Sequence, residues 1–230
     1  MSIISSFGEL FDTTLDPAFA NYTASNDAFE VNEHDSNSRV STRNLRVEQT
    51  GAAFASFNHM LVKGMSDITE KRSGLLEDYD CDGIAIKTCQ GQDGLVFSEL
   101  KSRFSTQKVY EAFQQMTYSF LKMHAMLSLC KDYTLDDVSL HFIVACQCFE
   151  DKDQEDGIYN RLSKEEQESK HTFVGKFLRR LIEKHELMVK FGEIATIWNL
   201  PLNQTLADKE IKLTLQVTQN YGDSGLVYTY

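Results

Sequence analysis

Proline is almost missing from these 230 residues, with two copies, and glycine numbers only 12. That excludes a collagen-like or linker-like chain. No apolar run approaches the about 18 residues a membrane helix needs. Met1 to Gly8 offers no basic start and no long apolar core, so no signal peptide is expected. Cysteine is scarce and odd in number: five, at 81, 89, 130, 146 and 148, with no Cys-x-x-Cys. Neither a disulfide framework nor a zinc site is expected, and reduced thiols in a cytoplasm are the default. Gly-rich phosphate loops, a Ser/His/Asp order and nucleotide fingerprints are all absent, as are internal repeats and low-complexity tracts. His59, His124, His141, His171 and His185 show no ligand spacing, and His141 sits in an apolar run as a satisfied core residue would. Positive charge is also short: 23 Lys and Arg face 34 Asp and Glu, a formal net charge of −11. Such a chain is not an obvious free binder of nucleic acid.

What is present is material for a core. The chain is 42% hydrophobic, with 15 Phe and 9 Tyr. That excludes disorder as the main state and suffices for one large or two small domains. Charge is uneven. Residues 95–131 hold five basic against two acidic side chains, whereas 132–170 hold four against eleven.

Periodicity sketches the elements. Phe7, Leu10, Phe11 and Leu15 suit a short helix closed by Asp16-Pro17. Phe54, Phe57 and Leu61 have helical spacing within 50–63. Residues 83–88 and 95–101 read as strands, and Gln90-Gly91-Gln92-Asp93-Gly94 between them has hairpin chemistry. Val109, Phe113, Met116, Phe120, Met123 and Leu127 form the apolar stripe of a helix over 105–129. Residues 138–149 are a nearly unbroken apolar run, expected as a central, doubly covered strand. An acidic loop is expected at 150–156, then a second amphipathic helix over 170–190. Its Val174, Phe177, Leu178, Leu181, Ile182 and Met188 would face inward, with Lys176, Arg179, Arg180 and Lys184 on a solvated face. Residues 210–218 alternate cleanly as a strand, and 226–230 suit a last one. This order predicts an α/β fold, a mixed central sheet flanked by helices, over 41–230. Residues 1–40 are expected as an N-terminal appendage serving oligomerisation or partner contact.

One constellation carries chemistry. Residues two apart on a strand share a face, so Glu99 and Lys101 project together. Asp82 opens the partner strand. Two carboxylates are hard oxygen ligands for Mg²⁺. A metal held there lowers the pKa of bound water and neutralises phosphate charge, and a neighbouring Lys orients the water or takes its proton. Asp82-Gly83-Ile84-Ala85-Ile86, a turn, and Leu95-Val96-Phe97-Ser98-Glu99-Leu100-Lys101 resemble the core of the PD-(D/E)XK nuclease superfamily. Gln114-Gln115-Met116-Thr117-Tyr118 matches the Gln-x-x-x-Tyr that some branches carry on the following helix.

The resemblance covers about residues 77–145. It implies a restriction-endonuclease-like core, metal ligation by Asp82 and Glu99, a catalytic role for Lys101, orientation of the site by Gln114, and Tyr118 nearby. Mg²⁺ is the implied cofactor, with Mn²⁺ able to substitute. Cys81 stands where the family name has Pro. The acid that the family often adds on the first helix has no match in 50–63, which leaves Glu48, Glu77 or nothing, and Glu77 is taken as the third metal ligand. Glu150-Asp151-Lys152 and Glu210-Ile211-Lys212 repeat the acid-x-Lys spacing without a hairpin before or the right helix after. Leu95 and Phe97 share the face of Glu99, so the pair is not expected to be a surface ion pair.

Arg103 and Lys108, just past the motif, are placed to meet a phosphate beside the scissile one. The expected function is hydrolysis of phosphodiester bonds in DNA, in a restriction or phage-defence setting that the resemblance implies. The acidic balance calls for a homo-oligomer or a partner complex, and no membrane. A catalytically inactive nuclease-like scaffold or interaction subunit is the alternative. An unrelated α/β binding module, with Asp82, Glu99 and Lys101 far apart, is the third reading.

Overall fold

Alternation and branched side chains are strongest in the middle of the chain, and the architecture is built outward from there. The computed structural model describes residues 3–10, 23–33, 44–57, 62, 80–149, 152–168, 177–220 and 222–230. In chain order these form α1 (Ile3–Leu10), β1 (Thr23–Asn32), β2 (Asn44–Phe57), β3 (Gly83–Cys89), β4 (Gln92–Lys101), α2 (Thr106–Leu127), β5 (Ser139–Cys146), α3 (Lys152–Glu168), α4 (Arg179–Lys184), β6 (Glu186–Lys190), α5 (Phe191–Ala195), α6 (Gln204–Asp208), β7 (Glu210–Val217) and β8 (Gly225–Thr229). The fold is mixed α/β. One eight-stranded sheet runs β1-β2-β3-β4-β5-β7-β6, with β8 paired to β2 off that path. β4, β5 and β7 are mutually parallel, while β1 to β4 form an antiparallel meander. Among the described residues, no helix is long and apolar enough to cross a membrane.

β5 is buried along almost its whole length, from Leu140 to Cys146, as a central strand with both faces covered must be. On one face Leu95 and Phe97 of β4 and Phe142 of β5 meet Phe113 and Phe120 of α2 in the main core. On the other, Val96, Leu100, Ile143 and Ala145 join Phe29, Val31, Leu45, Val47 and Tyr228 in a second cluster. The β3–β4 hairpin turns on Gln90-Gly91, both with positive φ (51° and 76°). That is the two-residue geometry that matches strand twist. Asp93-Gly94 lies inside β4 instead.

Three segments differ from the expectation. Residues 50–57 belong to strand β2, not to a helix; 58–61 and 63 lie outside the described residues. Phe57 and Ala55 enter the main core, while Phe54 and Ala52 enter the second. A strand buried on both faces produces apolar spacings of three by accident. The expected acidic loop at 150–156 instead runs into α3, whose first turn holds Asp153 and Glu155, where acids favour a helix N-terminus. Of the expected 170–190 helix, residues 170–176 lie outside the described ones, and among the described residues 177–184 are helical, ending in α4. His185 takes a left-handed φ of 60°, and the chain then returns as β6 to pair with β7. Met188 on β6 is 58% exposed rather than inward-facing.

The described parts of residues 1–40 are α1 and β1. Phe7 packs edge-on against Phe57 at 5.2 Å, the Ile3 amide donates to Asp93 (3.0 Å), and β1 pairs with β2. Both are therefore built into the same body as the sheet. β1 also reaches the start of β3. A Cβ at Gly83 would stand 2.4 Å from Val31 Cγ2 and 2.6 Å from Ser98 Oγ, so glycine is required there.

Candidate active site

β3 begins at Gly83 opposite Ser98, and extending that register by one residue sets Asp82 across from Glu99. The two strands exchange unusual bonds at this point. The Asp82 amide donates to Glu99 Oε2 (3.0 Å), and the Leu100 amide donates to Asp82 Oδ2 (2.7 Å). Lys101, two residues along β4 on the face of Glu99, donates from Nζ to Glu99 Oε1 at 2.6 Å. The structure thus brings Asp82, Glu99 and Lys101 into one hydrogen-bonded group at the end of β4.

Glu99 is 3% exposed. Burial, reinforced by the neighbouring charge of Asp82, pushes its carboxyl up to about 8, against the opposing pull of Lys101. A cation between two such carboxylates would relieve both causes. Two carboxylates are a donor set that suits Mg²⁺ rather than a thiolate- or imidazole-seeking metal. Among the described residues no group of three His, Cys, Asp or Glu side chains is arranged to hold a metal ion.

α2 frames the site from above. Ser105 caps it by accepting from the Lys108 amide (3.1 Å). Its apolar stripe lies where the periodicity puts it, fully in the core. Next to that stripe runs a polar row, Gln115, Ser119 and Lys122, at i, i+4 and i+7. Gln115 Oε1 accepts from Lys101 Nζ (2.7 Å), and its Nε2 donates to the Asp80 carbonyl (3.2 Å). Ser119 Oγ accepts from the Cys81 amide (2.9 Å). Lys122 Nζ, with a fully buried side chain, donates to Asp80 Oδ1 (2.5 Å). Residues 80–82 are thereby pinned to the helix, and with them the backbone that carries Asp82.

Gln114, the residue that the Gln-x-x-x-Tyr match selects, donates to the Tyr118 hydroxyl (3.1 Å), and Tyr118 is 4% exposed. The glutamine whose bond reaches Lys101 is its neighbour, Gln115. Arg103 is exposed just beyond β4, and half-exposed Lys108 pairs with Glu111 at 2.9 Å. Glu48 sits on the half of β2 that pairs with β8, bound to Arg46 at 2.6 Å. Glu77 lies outside the described residues. The sequence assigns no role in the site to Gln115, Ser119 or Lys122, and Asp80 reads there only as a solvated turn acid. The signal for Ser119 and Lys122 is their spacing of three residues on a helix face otherwise too apolar to leave them solvated. No family model, curated protein or solved structure matches this chain.

Proposed function

We propose that this chain is a metal-dependent endonuclease of the PD-(D/E)XK kind, hydrolysing phosphodiester bonds in DNA. The observation that carries this reading is the hydrogen-bonded group of Asp82, Glu99 and Lys101, with Lys101 Nζ 2.6 Å from the Glu99 carboxylate, the Asp82 backbone amide 3.0 Å from the same carboxylate, and the Asp82 carboxylate accepting from the Leu100 amide next to it (2.7 Å). A Glu and a Lys this deeply placed beside Leu and Phe need a chemical reason, since burying charge is costly.

Asp82 and Glu99 would hold Mg²⁺ or Mn²⁺, which supplies an acidified water and neutralises charge on the phosphate. The remaining work falls to the chain itself. Lys101 presents fixed N–H donors beside Glu99, where they orient the attacking water and counter the negative charge that grows on the phosphoryl oxygens. Arg103, exposed immediately after β4, and Lys108 at the start of α2 would grip the neighbouring phosphates. Restriction or phage defence is the setting that the resemblance implies.

The expected outcome is cleavage of plasmid DNA with Mg²⁺ or Mn²⁺ that stops in chelator. Lys101→Ala should slow it by about a hundredfold or more. Metal-dependent cleavage that survives Lys101→Ala would defeat this reading. A scaffold or interaction subunit is the second reading, favoured by one feature: both Glu99 oxygens already accept from within the chain. Calorimetric titration separates the two. Mn²⁺ binding that disappears in Asp82→Asn and Glu99→Gln supports the nuclease, and no such binding supports the scaffold.

A further inference from the structure

Lysine carries its amine on a flexible four-carbon stem, so a useful amine position has to be imposed from outside. In this chain Lys101 Nζ has acceptors on two different elements, Glu99 Oε1 on its own strand at 2.6 Å and Gln115 Oε1 on α2 at 2.7 Å. The glutamine itself has only one workable orientation. A backbone carbonyl only accepts and an ammonium only donates. With Nε2 committed to the Asp80 carbonyl (3.2 Å), Oε1 must face Lys101. Flipping the amide would set donor against donor and acceptor against acceptor. The carbonyl it leans on is held in turn, because Asp80 is tied to buried Lys122 and Cys81 to Ser119. One helix row therefore anchors the backbone before Asp82 and reaches across to the Lys101 amine.

We infer that Gln115 is a positioning residue that sets the Lys101 amine through its side-chain carbonyl, with its amide nitrogen braced on residue 80. This rests on the nuclease reading above, in which Lys101 acts on water and phosphate. Two variants separate the amine contact from the brace. Gln115→Met removes both polar ends at similar volume. Gln115→Glu keeps an acceptor for Lys101 and drops the donor to Asp80.

In metal-free protein, ¹⁵N-labelled lysine spectra report the Lys101 ammonium, identified by its disappearance in Lys101→Met. It should be protected from exchange in wild type and Gln115→Glu and unprotected in Gln115→Met. In Mn²⁺-dependent plasmid cleavage, Gln115→Met should lose roughly tenfold to a hundredfold in kcat with KM unchanged, and Gln115→Glu should recover most of it. Gln115→Leu replaces Gln115→Met should the latter not fold. A protected Lys101 ammonium in the folded Met or Leu variant overturns the inference. So does a Gln115→Glu variant as slow as Gln115→Met, which would mean the brace alone matters. If wild type does not cleave DNA, the nuclease reading fails by itself, and the ammonium signal alone then decides on Gln115.

Discussion

Glu99 is held almost out of water, next to another carboxylate, with a single lysine as counterion. Its proton is consequently bound more tightly in the folded chain than in the unfolded one, at about 8 against an ordinary 4.5. Between those values the folded state carries the extra proton, so stability falls as pH rises across the interval and levels off above it. Thermal melts in chelator from pH 5 to 9 should show that decline, and Glu99→Gln should flatten it. A variant that keeps the wild-type slope would place the titration elsewhere. His141 behaves in the opposite sense. Both ring nitrogens are hydrogen-bonded, to Tyr230 and Thr214 at 2.7 Å each, and burial pushes the imidazole well below its ordinary value. Its contribution is present above pH 6.5 and is lost as pH falls below it. The residue is a satisfied member of the core, as its apolar setting in the sequence suggests.

α2 is the element on which the site depends. Its apolar stripe fastens it to the sheet, and the adjacent polar row converts that attachment into placement of residues 80–82. The Asp80–Lys122 pair within the row is almost entirely shielded from water. Removing one partner of such a pair leaves an uncompensated charge. Lys122→Met should therefore cost about 3–5 kcal/mol in urea unfolding, and adding Asp80→Asn should restore a large part of it. Equal losses in the single and double variants would show that the two charges are not coupled. Periodicity made α2 legible because burial on one side repeats every three to four residues. The same periodicity could not choose between Gln114 and Gln115, since both flank the stripe and only the position of β4 and residue 80 decides which one touches the site.

For the whole molecule, the middle strands β4 and β5 are covered on both faces, on one by the core that holds α2 and on the other by side chains of β1, β2 and β8, which belong to the same sheet. The N-terminal helix takes part in this: Phe7 is 1% exposed and packs on Phe57. Phe7→Ala should destabilise the entire chain by about 3–5 kcal/mol, as an emptied aromatic site in a core does. A melting curve with a separate early step in place of one lowered transition would mean that α1 unfolds by itself. Net charge is a property of this scale too. At −11 the isolated chain repels a phosphate backbone, and the acidic 132–170 stretch is carried in part by α3. Assembly with itself or with a partner is the proposed means by which the basic 95–131 segment reaches DNA.

The strands β3, β4, β5 and β7, the hairpin between the first two and the long helix α2 were determined by the sequence alone. Each has one dominant burial pattern, and such patterns are written in local spacing. The mutual closeness of Asp82, Glu99 and Lys101 also followed from it, because a hairpin converts a sequence gap of 17 residues into a cross-strand neighbour. Tertiary structure alone decided that residues 50–57 form a strand, that the chain turns back at His185, and that Gln115, Ser119 and Lys122 enclose residues 80–82. Those outcomes depend on what packs against a segment from outside. β2 is buried on both sides by different cores, and a polar side chain on a buried helix face becomes informative only when its partner, 35 or 42 residues away, is in place.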